Sequence, residues 1–470
     1  MSLPPKAGEF KPTDSLSLDL FEENRVQALI SPWRQLPVEI ISKIFIFTLA
    51  CRGNIHQDDP WDDDRAGTLL LCKICSEWRA IALRTPALWN TLSISALGLA
   101  RPPEWISTWL ARSRSSPVFL QLLWDSETLR DAINSVMSIF ASHLHHTAEL
   151  EINGIYFLDE RLMENHAELT FNLSGESLNA PLLSSVYVCL PEGSVWDWIH
   201  AACRASPCLT HLTTSHPSLD LFPLANLTEF TWIHEAPMSQ VFKIFESAPN
   251  LRYLDINVAG PVVPSSARSR LTMQSITKLE IASYEHLGEF LEQTEFPSLV
   301  NLGICFVNTW LGPPFLSFLS RSSCALTALA FHECVISSAE VISCLQHSAC
   351  KMLESFSLDE CSPEDVDILL QYLTYQGPEH FPSCSNLRTI YLYGISSTDG
   401  LLSTMVSSRC SSTLSSGPPE PARLTEIWFS FADVLTQKTD HPDDWKRLQE
   451  IEMMKKLKLK IGWPVIDDTA

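Results

Sequence analysis

The stretch "LRYLDI", Leu251 to Ile256, is followed 25 residues on by "ITKLEI", Ile276 to Ile281, and then by "LVNLGI", Leu299 to Ile304. Each reads as an apolar residue, two variable ones, an apolar residue, one variable and one apolar. The alternation at the end of each copy places its last two apolar residues on one face of a short strand. Working outward, the same pattern appears as "LTHLTT" from Leu209, "LTEFTW" from Leu227, "LTALAF" from Leu326, "LESFSL" from Leu353, "LRTIYL" from Leu387 and "LTEIWF" from Leu424. Weaker copies are "TAELEI" from Thr147 and "LSSVYV" from Leu183.

Successive copies from Leu227 start 24, 25, 23, 27, 27, 34 and 37 residues apart. The central spacings fit the ~20–29-residue period of leucine-rich repeats, and the last two imply insertions. Between the copies lie helical segments, "MSQVFKIFESAP", "HLGEFLEQTEF", "PPFLSFLSRS" and "AEVISCLQHSAC". A strand–helix unit of this size cannot bury its own apolar face, so stacking into one array is the expected solution. Leu254, Ile256, Leu279, Ile281, Leu302, Ile304, Leu329 and Phe331 are the expected core. Leu326 and Leu353 are each followed eight residues later by a cysteine, Cys334 and Cys361, where the leucine-rich consensus has Asn or Cys. The stretches around Asn153–Ala180 and Ser407–Pro421 are poorly patterned and read as insertions. "DDWKRLQEIEMMKKLKLKIGWP" runs from acid to base in the sense of a helix dipole, then alternates at Leu457, Leu459 and Ile461. It reads as a closing helix and strand, with Met453 and Met454 as packing residues.

The region before the array has a different character. In "QLPVEIISKIFIFTLA", Gln35 to Ala50, Pro37 suits the first position of a helix and Glu39 meets the positive end of its dipole. Ile40, Ile41, Ile44, Phe45 and Thr48 make a broad apolar face, which Ile46 and Phe47 widen almost around the helix. In "LLLCKICSEWRAIALRTPALW", Leu71, Ile74, Cys75, Trp78, Ile81 and Ala82 recur at helical spacing, which predicts a second helix over 69–84 ended by Pro86. Two short, strongly apolar helices form too small a core to stand alone, so the unmet surface calls for a partner.

"LPVEIISKIF", then "LLLCKICSEWRAIA", then "TPALW" resembles an F-box, and most closely those of mushroom-forming fungi, over about Pro32 to Leu92. The resemblance implies docking on a Skp-type adaptor of a cullin–RING ubiquitin ligase. It implies that Leu36, Pro37, Ile40, Ile41, Ile44, Phe45, Ile74, Cys75 and Trp78 supply the docking surface or its immediate support. The connection Cys51 to Gly67 is long for an F-box and carries aspartates at 58, 59, 62, 63 and 64; it lacks calcium-loop spacing and reads as a solvated loop.

Composition narrows the function. Hydrophobic residues make up 45% and charged residues 19%, enough for a buried core. The formal charge of −22, with 33 basic against 55 acidic residues and no clustered basic face, argues against nucleic-acid binding. The first residues lack a basic region followed by an apolar run, and no stretch reaches the ~18–20 apolar residues of a membrane span. The fourteen cysteines then read as reduced thiols of an intracellular protein, in cytoplasm or nucleus. Cys72-Lys73-Ile74-Cys75 has no second CxxC at zinc-finger distance. His143, His145 and His146 lack partners at ligand spacing and read as a helix end. Cys334, Cys344, Cys350 and Cys361, with His332 and His347, are the densest Cys/His region, and two of them are already explained by the repeat. No metal site and no cofactor are expected. Phosphate-binding glycine loops, the GxSxG elbow and HExxH are absent from the chain, so no catalytic residue is expected either.

The expected fold is α/β: a small N-terminal helical F-box followed by an irregular leucine-rich-repeat-like solenoid of strand–helix repeats. Residues 1–30 read as a flexible tail, 31–92 as the F-box, 93–440 as the substrate-binding array and 441–470 as a capping helix and strand. The expected function is a non-enzymatic substrate-receptor subunit of an SCF-type ubiquitin ligase, whose partners are a Skp-type adaptor and a protein substrate. The alternative is a non-degradative repeat scaffold with a degenerate F-box. Neither reading involves nucleic acid or a membrane.

Overall fold

The computed structural model describes residues 36–50, 67–99, 102–124, 130–154, 178–190, 195–260, 270–361, 365–377, 384–410, 422–432, 440–453 and 457–461. The expected tail, the start of the F-box match, the acidic connection at 51–66 and most of both insertions lie outside them. The chain divides into two compact units, one reaching Leu123 and including Thr128–Thr147, the other carrying the remainder from Ala148.

Among the described residues of the first unit, helices α1 (Val38–Ala50), α2 (Gly67–Ile74) and α3 (Ser76–Arg84) come first. They are followed by strand β1 (Thr91–Ile94), helix α4 (Glu104–Ser113), strand β2 (Val118–Trp124) and helix α5 (Arg130–His143). β1 and β2 pair in parallel, with Leu92 opposite Leu120 and Ile94 opposite Leu122. His143 closes α5, and His145 and His146 lie in the 3₁₀ turn that follows, as a helix end should.

The predicted helix over 69–84 is two helices. Cys75 interrupts it in an extended conformation, φ −155° and ψ 168°, and its Sγ accepts from the Trp78 amide at 3.4 Å. Arg79 Nε donates to the Cys72 carbonyl at 2.6 Å, satisfying an end that α2 would otherwise leave open. No glycine or proline marks the break, because the groups that stabilise it come from the next turn of chain.

In the second unit the repeat copies are strands: β3 (Thr147–Gly154), β4 (Ser185–Cys189), β5 (His211–Thr214), β6 (Glu229–Pro237), β7 (Tyr253–Ala259), β8 (Lys278–Ala282), β9 (Asn301–Cys305), β10 (Ala328–His332), β11 (Ser355–Asp359), β12 (Thr389–Ile395) and β13 (Glu426–Phe431). β14 (Lys458–Ile461) closes the series, and each strand pairs in parallel with the next. The registers stack like on like. One row runs Phe230, Leu254, Leu279, Leu302, Leu329, Phe356, Ile390, Ile427; the next runs Trp232, Ile256, Ile281, Ile304, Phe331, Leu358, Leu392, Phe429. All of them are buried, the eight expected core residues included.

The residue after each leading Leu or Ile explains why the strands stay parallel. The carbonyl of Thr228 accepts the amides of Arg252 and Tyr253; that of Arg252 accepts Thr277 and Lys278. The carbonyls of Thr277, Val300, Thr327, Glu354 and Arg388 repeat this with the next copy. Where the position is threonine, the hydroxyl reinforces the ladder: Thr228 Oγ1 donates to the Thr210 carbonyl at 3.2 Å and Thr277 Oγ1 to that of Arg252 at 3.3 Å. The recurring "LT" thus supplies both a core residue and a side-chain donor to the neighbouring turn.

Helices fill the intervals: α6 (Val195–Arg204), α7 (Met238–Ser247), α8 (Leu287–Gln293), α9 (Gly312–Ser322), α10 (Ser338–Gln346), α11 (Val366–Leu373), α12 (Leu401–Cys410) and α13 (Pro442–Met453). From α8 onward each packs on the next. Aromatic rings pack the interior between helices and strands: Phe315 of α9 lies 6.3 Å from Phe331 of β10, Trp310 just before α9 stands edge-on to Phe331 at 5.3 Å, and Phe245 of α7 stands edge-on to Phe296 at 5.8 Å. Cys334 and Cys361 are buried side by side: the Cys334 amide donates to Cys361 Sγ at 3.2 Å, and Cys334 Sγ lies 3.3 Å from the Ile304 carbonyl. They serve as hydrogen-bonding corner fillers. Met453 departs from its expected packing role, standing exposed on the last turn of α13, while Met454 lies outside the described residues.

Candidate docking surfaces

The first three helices enclose a small core of Ile41, Phe45, Leu71, Ile81, Ala82, Leu88 and Trp89. Phe45 packs its ring 4.8 Å from Trp78, and Trp89 stands edge-on to Trp109 at 4.7 Å with the Arg112 guanidinium 4.4 Å over its face. Trp89 Nε1 donates to the Ala82 carbonyl at 2.9 Å and Thr68 Oγ1 to that of Leu88 at 2.7 Å, so the core's polar groups have partners. Trp109 and Arg112, from α4, were not anticipated here; the amphipathic "EWISTWLARS" was the available signal.

α1 therefore has two apolar stripes. Ile41 and Phe45 face inward at 3% and 1% exposure. Ile40, Ile44 and Phe47, at positions i, i+4 and i+7, form the other stripe. Ile40 is 42% and Phe47 67% exposed, while Ile44 is half-buried. Leu36 and Pro37 extend that side at the helix entry, where the Pro37 carbonyl accepts the amides of Ile40 and Ile41. At the end of α2, Ile74 is 51% exposed and Cys75 beside it is also in solvent. Of the nine residues expected at the docking surface, Leu36, Pro37, Ile40, Ile74 and Cys75 are exposed and Ile44 and Trp78 are half-buried. Ile41 and Phe45 lie beneath as support. Val38 and Phe47, exposed and apolar, belong with the first group, although the F-box resemblance does not point to them.

A second surface is carried by the strands of the array, on residues that alternate with the core rows. By register it runs Tyr187, Thr213, Thr231, Asp255, Glu280, Gly303, Ala330, Ser357, Tyr391, Trp428. Its middle is flat, built of Gly303, Ala330 and Ser357. A Cβ at Gly303 would come 2.6 Å from Glu280 Oε2, so glycine there lets that carboxylate lie across the strand. On one side Asp255 and Glu280 face each other on adjacent strands, with Lys278 3.5 Å from Glu280 and 4.4 Å over the Tyr253 ring. On the other side Tyr391 and Trp428 stand 5.9 Å apart.

Burial, and then the neighbouring Glu280, push the Asp255 carboxyl up to about 6. Because its folded pKa lies above its unfolded one, the native state holds the extra proton between pH ~4 and ~6, and stability falls as pH rises through that window. Asp255→Asn is accordingly expected to raise stability at pH 7 by on the order of 1 kcal/mol and to flatten the pH dependence of urea denaturation between pH 4 and 6. An Asn variant less stable than the parent at pH 7 would show that the charge is stabilised rather than strained.

Among the described residues, the Cys/His residues of the region 332–361 do not converge as a set of metal ligands. His332 Nδ1 is 2.7 Å from Asp359 Oδ2, His347 Nε2 is 2.9 Å from Ser320 Oγ, and Cys344 is buried with its thiol pushed up to about 12 by desolvation. The CxxC cysteines sit across the α2–α3 break, Cys72 half-buried and Cys75 exposed. Among the described residues, the set whose ligand atoms do converge is Asp399, His441 and Asp444, which sequence reasoning missed.

No family model and no curated protein matches this chain. Among solved structures, one chain of a crystal structure of the Rad7 and Elc1 complex in yeast is similar at 15% identity and a TM-score of 0.39, covering 83% of this chain and 95% of that one. Among the described residues, no helix is long and apolar enough to cross a membrane.

Proposed function

We propose that this protein is a substrate-receptor subunit of an SCF-type cullin–RING ubiquitin ligase. α1 to α3 dock on a Skp-type adaptor, and the strand array binds the protein to be modified. The observation that carries this reading is the doubling of apolar stripes on α1: Ile41 and Phe45 already fill the unit's core, yet Ile40, Ile44 and Phe47 with Ile74 offer a further apolar surface. A patch of this kind marks an interface, and it lies on the residues that resemble an F-box.

The subunit is not itself an enzyme. It acts by holding its target near a charged ubiquitin carrier, raising the effective concentration of the reacting groups. Its setting is the cell interior, without nucleic acid or membrane as partner. The strip from Asp255 and Glu280 to Tyr391 and Trp428 is where the target sits, since it combines flat backbone, paired carboxylates and aromatic rings on successive strands.

The test is affinity purification of the full chain from cells, with mass spectrometry of what accompanies it. A Skp-type adaptor and a cullin are expected together with a target whose turnover depends on that cullin. Recovery of a stable partner without adaptor or cullin would replace this reading with that of a non-degradative scaffold.

A further inference from the structure

The carboxyl ends of β12 and β13 border an open cavity of about 470 Å³. Asp365, Asp367, Thr398, Phe431, Asp440 and His441 line it. Crevices outside the carboxyl ends of parallel strands are where α/β folds hold ligands. At its edge, the Asp399 carboxylate accepts the amide of Asp443 through Oδ2 at 3.1 Å and that of Asp444 through Oδ1 at 3.0 Å, capping α13. These bonds cancel the positive end of the helix that would otherwise repel a cation.

Asp444 is fully buried. Its Oδ1 accepts the Ser403 amide at 2.7 Å, but its Oδ2 has no hydrogen-bond partner. The nearest basic atom is His441 Nδ1, 3.8 Å away and likewise without a partner. His441 cannot swing freely, because its ring lies flat on Phe431 with centroids 3.6 Å apart and an interplanar angle of 4°. A buried carboxylate oxygen without a partner is costly. Here it faces an imidazole nitrogen in the same condition, at a distance too long for a hydrogen bond.

The separation suits a shared metal ion. Bonds of ~2.0–2.2 Å to imidazole nitrogen and carboxylate oxygen let one ion bridge two ligand atoms at this spacing. One oxygen of Asp399 completes a set whose ligand atoms all lie within 4.8 Å of one another. Two carboxylates match a double positive charge, and the ligands are oxygen and imidazole without sulfur, which suits zinc or manganese rather than a soft monovalent ion.

We propose that Asp399, His441 and Asp444 bind a divalent transition-metal ion. The neutral imidazole ligates through Nδ1, the fourth position opens toward the cavity, and the ion clasps α13 to the turn after β12. The three ligands lie outside the residues on which the ligase reading rests, and they are 42 and 3 residues apart in the chain, a spacing that carries no recognisable motif.

The experiment uses the full chain, stripped with a chelator and titrated calorimetrically with Mn²⁺, which thiols hold poorly, and in parallel with Zn²⁺. One equivalent of Mn²⁺ is expected to bind, Zn²⁺ is expected to compete for the same site, and each is expected to raise Tm. Asp444→Asn preserves the acceptor for Ser403 and places an amide donor opposite His441 Nδ1. His441→Phe preserves the stacking on Phe431 without a ligand atom. Both variants are expected to lose the Mn²⁺ equivalent while their metal-free circular dichroism matches the parent, and if one does not fold the other decides. Failure of the parent to bind either ion, or binding that a folded variant retains, overturns the proposal and leaves a direct contact between His441 and Asp444 in its place.

Discussion

Ile40→Glu combined with Ile74→Glu in the full chain is expected to weaken binding to a Skp-type adaptor by at least ~100-fold, or about 3 kcal/mol, while the protein stays folded. Both side chains are about half in solvent, so a carboxylate at either position remains hydrated in the free chain and costs little there. In the complex the same carboxylate enters a dry contact without a counter-charge, and the desolvation falls on binding alone. Phe47→Glu is expected to act in the same direction. Ile41→Glu gives the opposite combination: Ile41 is 3% exposed in the core beneath, so its replacement is expected to unfold α1 to α3 and to lose binding for that reason. Calorimetric titration with the adaptor, with circular dichroism and thermal melting of each variant, separates the two. A folded Ile40→Glu, Ile74→Glu chain that binds like the parent would remove the outer stripe as an interface and the ligase reading with it.

The difference between Ile40 and Ile41 also marks how far the sequence could be read. Both are isoleucines in one helix whose apolar residues run almost around it, and periodicity could not tell the stripe that faces the core from the one that faces a partner. The array was easier, because alternation at a two-residue period assigns each side chain to one face of a strand. Repetition then fixes the neighbours: Leu254, Leu279, Leu302 and Leu329 occupy one position in four copies and lie in one row. β2 escaped notice because "VFLQLLW" is buried almost throughout, and a strand covered on both faces shows no alternation. The break at Cys75 is invisible for a different reason. What stabilises it is the reach of Arg79 back to the Cys72 carbonyl, a contact no propensity encodes. Asp399, His441 and Asp444 required the full sheet, since only the parallel placement of β12 and β13 brings the segments after them together.

Phe331→Ala is expected to cost about 3–5 kcal/mol, the largest loss of stability from a single truncation in the array. The side chain is fully buried at the centre of the second core row, between Ile304 and Leu358 in register. Trp310 stands at right angles to it at 5.3 Å, and the rings of Phe315 and Phe356 lie 6.3 and 6.4 Å away. Three large rings held by their neighbours cannot collapse into the space a phenyl group vacates, so both the transfer free energy and the cavity contribute. In a stack where each unit leans mainly on its two neighbours, the damage concentrates there rather than spreading evenly. Amide exchange should accelerate first in β9 to β11 and least in β3 to β5. Phe47→Ala is the control. Its side chain is 67% exposed, and its truncation should change stability by no more than about 0.5 kcal/mol. Urea denaturation read by tryptophan fluorescence, together with exchange by mass spectrometry, measures both quantities. A cost for Phe331→Ala below about 1 kcal/mol, or exchange that rises equally along the chain, would mean that the aromatic rows do not hold the array together in the way the register implies.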